Sequence, residues 1–120
     1  MVTGELDALK ERFPACETLA FADLSTGMVL VTNSDTPLER RGLDQLCGEA
    51  ELLLGGAGSR PLGEKPAAMA LVSSQDRVRL FLRAGQEPND ALCCVVTPEL
   101  DLAAFLPAAD ATLQKISDHA

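Results

Sequence analysis

Tryptophan and tyrosine are missing from this 120-residue sequence, phenylalanine occurs four times, and the only histidine is His119. With so few aromatic faces, a site that holds sugars or nucleobases by stacking is hard to assemble. A single imidazole at a helix end prone to fraying is a poor base for a Ser-His-Asp or Cys-His arrangement. Basic runs are scarce as well. Ten Lys and Arg lie scattered among eighteen Asp and Glu, the net charge is −8, and the longest basic run is Arg40-Arg41. Displacing counterions from phosphates needs clustered cations, so neither nucleic acid nor an anionic membrane surface is expected as a partner. No apolar run approaches the roughly 20 residues that span a bilayer. The first residues lack the basic-then-apolar order of a signal peptide, so a cytoplasmic protein is expected.

The four cysteines, Cys16, Cys47, Cys93 and Cys94, include no CxxC pair. Zinc needs three or four converging ligands, so no metal is expected, and the thiols read as small core residues in a reducing compartment. Cys93 and Cys94 are neighbours in a strand-like run and should point to opposite faces. No cofactor is expected.

What is present is a globular pattern. Hydrophobic residues make up 47% and charged residues 23%, with a core to be built from Leu, Val, Ala and Met. One domain over residues 1–120 is expected, large enough to bury about two-thirds of its unfolded surface. Thr3 is a candidate N-cap for a first helix carrying Leu6, Leu9 and Phe13 before Pro14. Thr18–Leu24 and Met28–Thr32 flank Ser25-Thr26-Gly27 as a hairpin. From Leu38 to Leu54, the residues Leu43, Leu46, Cys47, Ala50, Leu53 and Leu54 form one continuous helical stripe, which Gly55-Gly56 ends. A loop over Ala57–Pro66 precedes three strand-like runs, Ala67–Ser73, Arg77–Arg83 and Ala91–Thr97. The first and last of these are apolar on both faces. Leu102, Phe105, Leu106, Ala109, Leu113 and Ile116 mark a final helix. Pro107 inside it means that the helix either begins a few residues upstream or is kinked there. The order helix, strand, strand, helix, three strands, helix predicts an α/β (α+β) fold. It is a three-layer sandwich around one five-stranded antiparallel sheet.

Candidate chemistry is thin. Gly55-Gly56-Ala57-Gly58-Ser59-Arg60 follows a helix, whereas phosphate cradles lead from a strand into one. Asp23 with Asp35, and Glu99 with Asp101, read as solvated turns and caps. No catalytic residue is expected. The central helix is more informative, because Leu38, Arg41, Gln45, Gly48 and Leu52 recur at heptad spacing opposite its core stripe. That spacing makes a seam for a second helix. Two readings are open for Arg77, Arg79, Phe81 and Arg83. They could form an outward, partner-binding row, or the arginines could reach past a covering helix with Phe81 in the core.

The element order and several local patterns resemble the roadblock/LC7 (dynein light chain) family over about Leu6 to Ile116. The patterns are Phe21-Ala22-Asp23, Gly27-Met28-Val29-Leu30, the Leu-rich central helix, the triple strand set, and Asp101-Leu102 ahead of the last helix. The resemblance implies a profilin-like sandwich with the central helix alone on one sheet face. It also implies a homodimer: central helices paired through Leu38, Arg41, Gln45, Gly48 and Leu52, and third strands joined around Ala68, Ala70 and Val72. Bacterial members are similar to a regulator of a Ras-like GTPase in gliding motility. A dimeric adaptor or regulator of a small GTPase or other protein is therefore expected. A scaffold subunit without nucleotide sensing and a small-molecule sensor are the alternatives.

Overall fold

The structure, a computed structural model, describes residues 2–34, 40–54, 68–85, 87 and 89–119. The elements are α1 (Val2–Arg12), β1 (Cys16–Asp23), β2 (Met28–Ser34), α2 (Arg40–Leu54), β3 (Met69–Ser73), β4 (Val78–Arg83), β5 (Asp90–Val96) and α3 (Leu102–His119). This is the expected order. The loop placed over Ala57–Pro66 lies outside the described residues. Because α1 begins at Val2, Thr3 sits inside the helix and is not its cap.

The five strands form one sheet in the order β2-β1-β5-β4-β3, and every neighbouring pair is antiparallel. The β1–β2 hairpin turns on Gly27, whose φ of 71° favours glycine. A Cβ there would also come within 2.8 Å of Glu51 Oε1 on α2. The Asp23 carboxylate accepts bonds from the Ser25 backbone N–H at 2.9 Å and the Ser25 hydroxyl at 2.6 Å. The hydroxyl bond is the main reason that its pKa falls below the ordinary aspartate value.

The two sheet faces are built differently. On one, Leu19, Leu80, Leu82, Leu92 and Cys94 pack with Leu6 and Leu9 of α1 and Phe105, Leu113 and Ile116 of α3. On the other, α2 sets Leu46, Cys47, Ala50 and Leu54 on Ala20, Ala22, Ala91, Cys93 and Phe81. Small residues make up most of that floor, so a single helix can lie close to the sheet, and Phe81 is its bulkiest member. Cys93 and Cys94 accordingly enter different cores, as the period-two alternation of a strand requires. β5 is buried on both faces, as its sequence predicts. β3 differs from its reading: Ala70 and Val72 are half-buried towards α2, while Met69 and Leu71 stand largely open on the other side.

α3 resolves the question at Pro107. Its N-cap is Asp101, whose side chain accepts from the Ala104 N–H at 3.4 Å. The Asp101 carbonyl accepts from the Phe105 N–H at 3.0 Å. The helix thus starts five residues upstream of Pro107, which is exposed and lies inside the element. A proline there leaves the Ala103 carbonyl without its helical N–H. Pro107→Ala is expected to raise unfolding free energy by about 1–2 kcal/mol in urea melts, less than the full interior-proline penalty of about 3 kcal/mol, because proline also restricts the unfolded chain.

The C-terminal part of α3 is tied to the sheet where Ser117 Oγ donates to Asp90 Oδ2 at 2.9 Å. Burial raises the Asp90 carboxyl pKa, the Ser117 bond opposes the rise, and nearby Glu87 and Asp23 add to it. A carboxyl whose folded pKa is raised costs stability above that pKa and ceases to do so as pH falls and it protonates. Asp90→Asn keeps an acceptor for Ser117 and removes the charge. It should be neutral or stabilising by up to about 1 kcal/mol at pH 7, with the difference closing at acid pH. Paired melts at neutral and acid pH measure this.

Candidate protein-interaction surface

Among the described residues, no group of three or more His, Cys, Asp or Glu is placed to hold a metal ion. All four cysteines are buried. Burial pushes the Cys47 thiol up to about 11 and raises Cys93 and Cys94 as well. Reactive cysteines have the opposite shift, so these thiols behave as core residues. A groove of about 500 Å³ beside α1 is lined by Asp7, Lys10, Glu11, Pro14, Cys16 and Asn33, and Asn33 Nδ2 donates to Asp7 there. A notch of about 280 Å³ between α2 and the sheet is lined by Gly42, Gln45, Leu46, Glu49, Arg79 and Val95. Neither sets a nucleophile beside a base, so neither has the makings of a triad.

The outer face of α2 carries surface of another kind. Arg41, Gln45, Gly48 and Leu52 are all exposed, Leu52 to 69%, so the four share one open face, as their spacing requires. Leu38 lies outside the described residues. A Cβ on Gly48 would meet nothing within 4 Å. Nothing among the described residues therefore calls for glycine at a position where glycine weakens a helix.

β3 lies at one edge of the sheet. Ala68 is exposed, and Ala70 and Val72 are half-buried on the α2 side. On the opposite face Met69 is 48% and Leu71 45% exposed. The sequence reading missed these two as surface residues. The available signal was the alternation of large and small side chains in Met69-Ala70-Leu71.

The arginine row requires a correction. Phe81 is fully buried beneath α2 and offers nothing to a partner. Arg79 grips Glu49 of α2 with both arms of its guanidinium, Nε to Oε1 at 2.6 Å and Nη2 to Oε2 at 3.1 Å. This bond raises the Arg79 pKa. Arg83 Nη2 donates to the Leu54 carbonyl, supplying a donor to the C-terminal turn of α2. Arg77 is exposed and pairs with Glu17. Phe81 therefore lies under α2, and Arg79 and Arg83 fasten that helix to β4, while Arg77 stands outside it and ties to β1. Of the two open readings, the one with a covering helix holds.

An antiparallel sheet in the order β2-β1-β5-β4-β3, with one helix alone on one face and the two terminal helices on the other, is the roadblock/LC7-like, profilin-related fold. No protein-family model and no curated protein matches the sequence. Among solved structures the chain is similar to a roadblock/LC7 domain from Streptomyces avermitilis, with a TM-score of 0.77, 14% identity, and 98% of this chain and 95% of that one covered. It is similar to MglB of Myxococcus xanthus, with a TM-score of 0.75, 14% identity, and 99% and 96% covered. It is also similar to LokiProfilin1, solved in complex with rabbit actin, with a TM-score of 0.63, 15% identity, and 99% and 96% covered. The fold expected from the sequence resemblance is the fold observed.

Proposed function

We propose that this chain is a non-catalytic adaptor that pairs with a second copy of itself and regulates a protein partner, with small Ras-like GTPases as the partner class. The observation that carries this reading is the exposed face of α2, with an outward leucine and an unneeded glycine, beside an edge strand. Two α2 helices packed along Arg41, Gln45, Gly48 and Leu52 would let their backbones approach at Gly48 and would cover Leu52. Leu38 belongs to the same spacing.

The two sheet edges differ in a way that supports a junction at β3. The β1–β2 register shifts between Phe21 and Ala22, which pair with Val31 and Val29 and leave Leu30 as the extra residue of a bulge. Bulges twist an edge and protect it from further pairing. The β3–β4 register runs from Met69 to Ser73 without a shift, so β3 presents a regular edge. Joining two such edges would form one continuous sheet around Ala68, Ala70 and Val72. Partner class follows from the resemblance of the sequence to a family whose bacterial members are similar to a regulator of a Ras-like GTPase. A preformed pair that binds one switch state more tightly shifts the partner's population towards it.

The test is capture by the immobilised chain of Ras-like GTPases from the same organism, each loaded with GDP or with a non-hydrolysable GTP analogue. Retention of one nucleotide state is expected. Capture indifferent to nucleotide would favour the scaffold role, and no capture of any GTPase would overturn the partner class.

A further inference from the structure

The proposed pairing surfaces lie on α2 and β3, and the opposite border of the sheet carries apolar side chains that they leave open. On β2, Met28 is 46% and Leu30 54% exposed. Large exposed apolar residues so close together mark a contact site.

The charge beside them defines what the contact takes. Met28 stands opposite Asp23 in the β1–β2 register, and Asp23 stands opposite Asp90 in the β1–β5 register. Phe21 and Leu92, two residues from each aspartate, belong to the core under α1 and α3. The row Met28, Asp23, Asp90 therefore shares that face, and Ser117 of α3 reaches Asp90 there. Like charges directly opposite each other destabilise a sheet. The groups that act on Asp90 are Ser117, Glu87 and Asp23, and those that act on Asp23 are Ser25 and Thr26. Among the described residues, then, no Lys or Arg offsets this pair. Each carboxylate uses one oxygen within the chain: Asp23 Oδ1 accepts from Ser25 and Asp90 Oδ2 from Ser117. Asp23 Oδ2 and Asp90 Oδ1 lie outside those bonds.

Opposed residues have Cβ atoms about 5 Å apart, a span that one guanidinium bridges with its five forked donors. From the middle of that pair to Met28 is one and a half strand spacings, about 7 Å, which matches the step from i to i+2 along an extended segment.

We propose that this patch docks an extended segment of a protein partner, with an arginine on Asp23 and Asp90 and an apolar residue two places away on Met28 and Leu30. The site belongs to a single chain and fills at one segment per chain. In the pair of the proposed function, on which this further point alone rests, β2 is the outermost strand at both ends of the joined sheet. The two patches then lie about 40 Å apart, and the pair holds two partner segments at once.

The probe is a displayed library of linear eight-residue peptides selected against the full chain, with the leading sequences titrated by calorimetry. Selected peptides should carry Arg two places from Leu, Ile, Met or Phe and saturate at one peptide per chain. Citrulline in place of that arginine, or Asp90→Asn in the chain, should weaken binding about tenfold or more through loss of a charged hydrogen bond. Met28→Gln should weaken it about fivefold. Both variants should melt at or slightly above the parent temperature, which separates lost contact from lost fold. Leu52→Glu should leave peptide affinity unchanged, because the patch lies apart from the outer face of α2. Binders without arginine, binders indifferent to both Asp90→Asn and Met28→Gln, saturation at one peptide per two chains, or no binder at all would each overturn the docking inference and leave the pairing standing. A chain that sediments as single copies yet binds one peptide apiece would overturn the pairing and the double occupancy alone.

Discussion

Phe81→Ala is expected to lower the unfolding free energy by about 3–5 kcal/mol, the range for removing a buried aromatic ring and leaving a cavity. The residue has no exposed surface and is the bulkiest of the strand residues beneath α2. Its neighbours on that floor, Ala20, Ala22, Ala91 and Cys93, are too small to fill the space it would vacate. Nor can α2 easily settle into the gap, because Arg79 holds it at Glu49 and Arg83 holds it at the Leu54 carbonyl. Domains of this size are stable by about 5–15 kcal/mol in all, so the variant should lose a large share of its margin, read as a shift in the urea midpoint. Phe81→Leu should cost much less because it keeps most of the volume. An alanine variant that melted like the parent would show that Phe81 is not the keystone of this layer.

Leu52→Glu should act on assembly and leave the fold alone. Leu52 is 69% exposed, so single-chain stability should change by no more than about 0.5 kcal/mol. In the proposed pair the same side chain would be covered on both copies, and the substitution would place carboxylates in the seam. A well-packed interface anchor contributes about 2 kcal/mol or more, so the dissociation constant should rise about 30-fold or more. Equilibrium sedimentation across a concentration series measures the change. Gly48→Ala separates the two effects, because a methyl group there meets nothing within 4 Å among the described residues. It should stabilise a lone copy by about 1 kcal/mol while weakening association. A seam that tolerates Glu at position 52 and Ala at position 48 without loss of affinity would contradict the pairing through α2.

Element order was readable because each element carries its own period. The stripe from Leu43 to Leu54 is helical, and the alternation through Val78, Leu80 and Leu82 is that of a strand. Seam spacing on α2 came from the same arithmetic, and the structure places Arg41, Gln45, Gly48 and Leu52 on one open face. Alternation does not say which side of a strand a distant helix will cover. Phe81 therefore had two readings until α2 was placed above it, while Met69 and Leu71 looked like core in a run that sequence alone makes apolar throughout. At Pro107 the sequence named the penalty but not its position in the helix. That position depends on the cap at Asp101, a side-chain geometry and not a pattern.

The unequal edges bear on how far such a molecule can grow. A sheet with two straight borders can add copies on either side without limit, which is the geometry of a fibre. Here the bulge at Leu30 distorts one border, and only the border along β3 is regular. A junction of like border with like border uses up both straight sides at once. Assembly by strand addition would then stop at two, self-limited by a single surplus residue on the far side of the sheet.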